Sequence, residues 1–170
     1  MKNTVTFEEI SGWQQFESLV AVYFELLKAE DNNVIHVEVK PPGVGGDGGR
    51  DVLVTLLVSD GVAAFERRWV VQCKFQEQAV SKSDLSNANI PTLIHEYGAD
   101  GYLLICKGKA SNTVTGMFER LNAECRFGYK YAIWEGEQFR KRVLIKESLM
   151  PQFFPEYAEF LQAKNRSQQS

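Results

Sequence analysis

No stretch of this 170-residue chain approaches the roughly 20 consecutive apolar residues that a bilayer-crossing helix needs. Apolar runs such as Val70-Val71 or Tyr102 to Cys106 have at most the length of a strand, so no membrane span is expected. Met1 to Glu9 lacks the basic start and apolar run of a signal peptide, which makes a cytoplasmic location the default expectation. Cysteine is scarce. Cys73, Cys106 and Cys125 are odd in number, widely spaced and set among apolar residues, a pattern of reduced core thiols and not of a disulfide framework. Only His36 and His95 could join them on a metal, and neither CxxC nor HxxxH occurs, which argues against zinc. Internal repeats, low-complexity segments and long like-charge runs are also missing. The expectation is one folded domain over 1–163, followed by 164–170, which has no apolar residue, as a disordered tail or the start of a linker.

A surplus of positive charge is the remaining absence. Lys and Arg number 19 against 22 Asp and Glu, for a formal net charge of -3 and a pI near 5.5. Affinity for nucleic acid normally draws on phosphate neutralisation. Any such contact therefore has to come from local clusters (Arg67-Arg68, Lys107 with Lys109, Arg140-Lys141-Arg142) or from a partner. Taken singly, each cluster reads first as a solvated face.

What is present reads as alternating helical and extended segments. Ser11 and Gln14 have the spacing of a capping box. Trp13, Glu17, Val20, Phe24 and Leu27 then recur as one stripe of an amphipathic helix, with Glu17 the polar member. Val34 to Val39 alternates as a strand, and Pro41-Pro42 stops it. Glycine is too dense over Gly43 to Arg50 for a regular element, so that stretch is a loop. Strands are expected at Asp51 to Val58 and Trp69 to Phe75, forming an antiparallel meander with the first. A helix capped by Ser81 or Ser83 runs towards His95 and is broken or kinked at Pro91. Tyr102 to Cys106 is a buried strand, Asn112 to Cys125 a helix, Tyr131 to Trp134 a strand, and Gln138 to Leu144 and Phe153 to Ala163 are helices. Trp13, Trp69 and Trp134 read as core residues. The order αβββαβαβ plus C-terminal helices predicts an α/β fold, a central mixed sheet flanked by helices.

One constellation stands out chemically. In the third strand Gln72 and Lys74 share a face, because side chains alternate with period two. An amide and an ammonium in a half-buried strand require polar partners. If the second and third strands pair as a hairpin, the nearest candidate is Asp51, which opens the second strand. Asp47 reads as a loop carboxylate. The glycine-rich loop lacks the Gly-Lys-Ser/Thr ending of a P-loop and precedes a strand.

GGDGGRD ending in Asp51, followed by VVQCK ending in Lys74, resembles the active site of the Mrr-like type IV restriction endonucleases within the PD-(D/E)XK nuclease group. The family's helix glutamate, in a Phe-Glu pair, is matched at Phe16-Glu17. A looser similarity over Gly101 to Cys106, IWEGEQF and PQFFPEY is to Mrr-like domains fused to larger anti-phage defence proteins. The resemblance implies a restriction-endonuclease-like core and a metal-dependent endodeoxyribonuclease serving bacterial restriction or defence. It implies Asp51, Gln72, Lys74 and Glu17 as site residues.

The chemistry suits these residue types. Mg2+ or Mn2+ prefers oxygen ligands. Asp51, the Gln72 side-chain carbonyl and the backbone carbonyl of Cys73 would supply them, with Glu17 acting through water or at a second metal. Most members of the nuclease group carry an acid where this chain has Gln72, so modest metal affinity and a preference for manganese are expected. Double-stranded DNA is the expected partner. A double-strand cut calls for a homodimer or higher oligomer, and a fused or partner domain would supply recognition and activation. The alternative is a catalytically inactive nuclease-fold module for DNA or protein binding and oligomer assembly.

Overall fold

A computed structural model describes residues 3–30, 33–40, 52–85, 89–124 and 126–168. Two helices, α1 (Trp13–Glu25) and α2 (Leu27–Glu30), precede three strands, β1 (Val34–Lys40), β2 (Val52–Ser59) and β3 (Ala64–Lys74). Then follow α3 (Ile90–Glu96), β4 (Gly101–Cys106), α4 (Asn112–Glu124), β5 (Lys130–Trp134) and α5 (Gly136–Leu144). The chain closes with α6 (Met150–Phe153) and α7 (Pro155–Gln168).

The five strands form one sheet in the order β1-β2-β3-β4-β5. β1, β2 and β3 make the expected antiparallel meander, with Val52 opposite Val71 and Ser59 opposite Ala64. β4 joins β3 and β5 joins β4 in parallel, each after a helix. That mixed pattern explains the sequence of β4: flanked on both edges and covered on both faces, all six of its residues are buried, and it is apolar but for one hydroxyl, that of Tyr102. The sheet separates two cores. On one face Val52, Val54, Val71, Leu103 and Ile105 meet Phe16, Leu19, Val20 and Tyr23 of α1 and Phe139 of α5. On the other, Leu53, Val70, Tyr102 and Leu104 meet Ile90, Leu93 and Ile94 of α3 and Val114 and Phe118 of α4.

Several local expectations need correction. Gly12 caps α1 with no side-chain bond; the backbone N–H of Ser11 instead donates to Gln15 Oε1 at 2.6 Å. β3 begins five residues before Trp69. Glu66, Arg67 and Arg68 hide it from a hydrophobicity reading. Arg67 stacks over Phe65, and Arg68 donates to Tyr97 O and Thr55 Oγ1, so this basic pair is part of the sheet. Pro91 does not break a helix. Ser83–Leu85 is a separate 3-10 turn, and α3 starts with Pro in its first turn, where no N–H is needed, under an Asn89 cap whose Oδ1 accepts from Thr92 N–H. Trp13 is 59% exposed and not core. Finally α7 continues to Gln168, into the polar segment expected to be disordered. The expectations for the loop at 43–50, for Asp47, Asp51 and Cys125 fall outside the described residues.

Candidate active site

The end of β3 is where the chemistry-bearing strand leaves the meander. Asp100 N–H donates to Arg68 O at 2.8 Å, and Lys107 N–H to Lys74 O at 2.9 Å. Backbone carbonyls alternate in direction along a strand, so Arg68, Val70, Gln72 and Lys74 turn theirs towards β4 while Cys73 turns its carbonyl towards the β2 side. Val71 pairs with Val52, the first described residue of β2. Gln72, Cys73 and Lys74 therefore lie beyond the last described β2–β3 pair.

Their side chains divide as the period-two reading requires. Val71, Cys73 and Phe75 join the α1 core, while Val70 joins the α3/α4 core and Gln72 and Lys74 follow it. Gln72 is 5% exposed, and the hydroxyl of fully buried Tyr102 donates to its Oε1. A buried amide oxygen without a partner would be costly, and Tyr102 removes that cost. Lys74 is half-buried on the same face, and its charge reaches Asp84 and Cys106. The Asp84 carboxylate is held below its ordinary range by the N–H and hydroxyl of Ser81, both at 2.7 Å, then by Gln76 and the Lys74 charge. Burial pushes the Cys106 thiol up to about 12; the Glu135 carboxylate adds to the rise and Lys74 opposes it. Cys106 is thus a neutral core thiol and not a nucleophile.

Glu17 is half-buried on α1, which packs on the face opposite Gln72 and Lys74. The ring of its neighbour Phe16 lies 5.4 Å from that of Phe75, so the first turn of α1 reaches the end of β3. His36 is exposed on β1, and His95 is exposed with its ring against Phe127 and Tyr129. Both lie outside this group.

Tyr102 and Asp84 were not singled out by the sequence reading. Tyr102 had a signal, a single hydroxyl in an otherwise apolar strand that must find a buried partner. Asp84 completes Ser-x-x-Asp with Ser81, a spacing readable as a cap but not as a neighbour of Lys74.

Among the described residues no three His, Cys, Asp or Glu side chains converge on a metal-sized position. The donors these residues do bring to the end of β3 are oxygens, the Gln72 amide and the Cys73 carbonyl. Such donors suit a hard divalent ion and not zinc.

The Mrr_cat restriction endonuclease family profile matches residues 8–142, from before α1 into α5, and so takes in the whole sheet. The chain belongs to this family. Among solved structures, this restriction endonuclease domain is similar in fold to the DNA modification-dependent restriction endonuclease AspBHI, with a TM-score of 0.52 and 13% identity over 96% of this chain and 44% of that one. The MspJI restriction endonuclease in complex with a 27-mer oligonucleotide aligns with a TM-score of 0.49 and 15% identity over 75% of this chain and 27% of that one. The domain thus spans less than half the length of either. No curated protein matches. The mixed sheet flanked by helices is the restriction-endonuclease-like architecture expected from the sequence. No helix among the described residues is long and apolar enough to cross a membrane.

Proposed function

We propose that the domain is a metal-dependent endodeoxyribonuclease that hydrolyses phosphodiester bonds of double-stranded DNA, as the effector of a bacterial restriction or anti-phage defence system. The observation that carries this reading is the placement of Gln72 and Lys74 on one face at the end of β3, beyond the register partner of Val52, in a chain of the restriction endonuclease family. Asp51 is covalently joined to Val52 and stands two residues before Leu53, whose side chain shares the face of Val70 and Gln72.

In this reading Asp51, the Gln72 side-chain oxygen and the Cys73 carbonyl would hold a Mg2+ or Mn2+ ion. A carbonyl oxygen has two lone pairs, so Gln72 can keep its bond from Tyr102 and still serve a second partner. Such an ion, when bound, polarises the scissile phosphate and lowers the pKa of an attacking water. Lys74 orients that water and offsets the negative charge that grows on the phosphoryl oxygens as the nucleophile approaches. Glu17 acts through water from α1, next to the Phe16 that reaches the end of β3. The neutral Gln72, where most members of the nuclease group have an acid, leaves the ion less firmly held. Cleavage in the cytoplasm of the host, by a homodimer or larger assembly with a fused or partner recognition domain, completes the proposal.

Incubation of supercoiled plasmid with the wild-type chain and Mn2+ or Mg2+ should yield nicked or linear DNA. Asp51→Ala and Lys74→Ala should each lose at least about 100-fold in rate, the scale expected when a group stabilising developing charge is removed. Cleavage that survives both substitutions would place the active site elsewhere.

A further inference from the structure

We propose that Lys107 and Arg140 bind non-scissile phosphates of the DNA, and that Glu77 and Glu137 occupy these cations until the DNA arrives. The proposal rests on the nuclease reading and adds substrate-binding residues to it. A cleft of about 480 Å³ opens beside the end of β3, lined by these four residues with Thr4 and Thr6 among others. It is on the face of the sheet opposite Gln72 and Lys74. The Lys107 N–H donates to Lys74 O, while the Lys107 ammonium lies 4.7 Å from the centre of the Phe75 ring. Two lysines therefore flank the end of the strand, one on each face, and a phosphate chain crossing that end meets both.

The cations and their acids are held very differently. The Lys107 side chain is 17% exposed and rests on Phe75; that of Arg140 is 26% exposed and donates to Thr4 Oγ1 at 3.3 Å. Their partners stand out in solvent, Glu77 at 78% and Glu137 at 61% exposure. Glu77 pairs with Lys107, and Glu137 presents both oxygens to Arg140 at 2.9 and 3.1 Å. Exposed ion pairs contribute little to stability, so the acids can swing out while the buttressed cations stay in place. A phosphate offers the same anionic oxygen pair to the guanidinium fork and a single oxyanion to the ammonium. The exchange also accounts for how a chain of net charge -3 would engage DNA, since its cations become available as the two acids leave, Glu137 releasing Lys141, held at 3.4 Å, together with Arg140.

The test is equilibrium binding of a duplex oligonucleotide without divalent metal, so that nothing is cut, over a series of salt concentrations. Lys107→Gln and Arg140→Gln should each weaken binding several-fold and reduce the slope of log K against log salt by about 0.9, the contribution of one phosphate contact. Glu77→Gln should tighten binding several-fold, an outcome that loss of folding cannot mimic. Affinities and slopes equal to wild type in the lysine and arginine variants, or no tightening in Glu77→Gln, would overturn the proposal. If the wild type still cuts plasmid in that case, the nuclease reading stands and only the phosphate site is wrong. If the wild type neither binds duplex nor cuts plasmid, both fall.

Discussion

At the scale of single residues, the site depends on how a buried amide is held. Gln72 and Lys146 are the buried polar or charged side chains among the described residues, and Gln72 sits where the strand leaves the meander. Tyr102→Phe keeps the ring and its edge contact with Phe118 but removes the hydroxyl, leaving Gln72 Oε1 without that donor. Urea unfolding should register a loss of about 1–2 kcal/mol, the usual cost of an unsatisfied buried acceptor. In a Gln72→Leu background the same substitution should cost clearly less, because the two residues act as a pair. Equal costs in both backgrounds would mean that the hydrogen bond contributes nothing. Cys106 offers a second check. Burial keeps its thiol neutral, so an alkylating reagent at pH 8 should leave it unlabelled in the native protein and label it after denaturation, as read by peptide mass spectrometry. The linkage has a definite sign. Below pH 9 the thiol is protonated in both states; above it the unfolded thiol ionises first, so Cys106 contributes a fall in stability as pH rises from 9 towards 12.

At the scale of elements, the turn from β5 into α5 is locked against the segment after β4. Gly136 N–H donates to Gly108 O at 2.8 Å, and a Cβ at Gly136 would stand 1.8 Å from the Lys107 carbonyl oxygen. Gly136→Ala should therefore lower the unfolding free energy by about 3 kcal/mol, as overpacking against backbone does. A melting temperature unchanged from wild type would show that the two segments can part freely. The same level shows what could be read from the chain beforehand. β4 was legible because a strand covered on both faces must be apolar along its whole length. α1 and α4 were legible because their buried residues recur at helical spacing. The first half of β3 was not, since Arg68 is held by Thr55 and Tyr97, contacts that depend on tertiary placement, while Glu66 pairs with Arg68 and Arg67 stacks on Phe65 along the strand itself. Pro91 misled because a proline that opens a helix and one that ends it look alike until the Asn89 cap is located. In the site, the pairing of Gln72 with Lys74 on one face followed from strand periodicity alone. The Tyr102 contact did not, because it joins positions 30 residues apart across a parallel pair.

At the scale of the whole molecule, the proposed cutting of DNA by a chain of net charge -3 calls for cations placed locally and not for an overall positive field. Under the proposed function one domain carries one set of site residues, so a concerted double-strand cut is expected from two copies acting together. The rate of plasmid linearisation should rise more steeply than in proportion to protein concentration, while nicking rises in proportion. Strict proportionality for both products would argue for successive cuts by a single copy. The central claim is that Asp51 and the Gln72 to Lys74 strand form one metal-binding catalytic centre, and it can be tested without DNA or any partner. Thermal unfolding of the wild type should shift upward with increasing Mn2+, by the amount that binding to the native state alone provides, about 2.7 kcal/mol at 100 times the dissociation constant. Asp51→Ala, folded and otherwise unchanged, should lose that shift. A shift of equal size and equal concentration dependence in Asp51→Ala would contradict the claim.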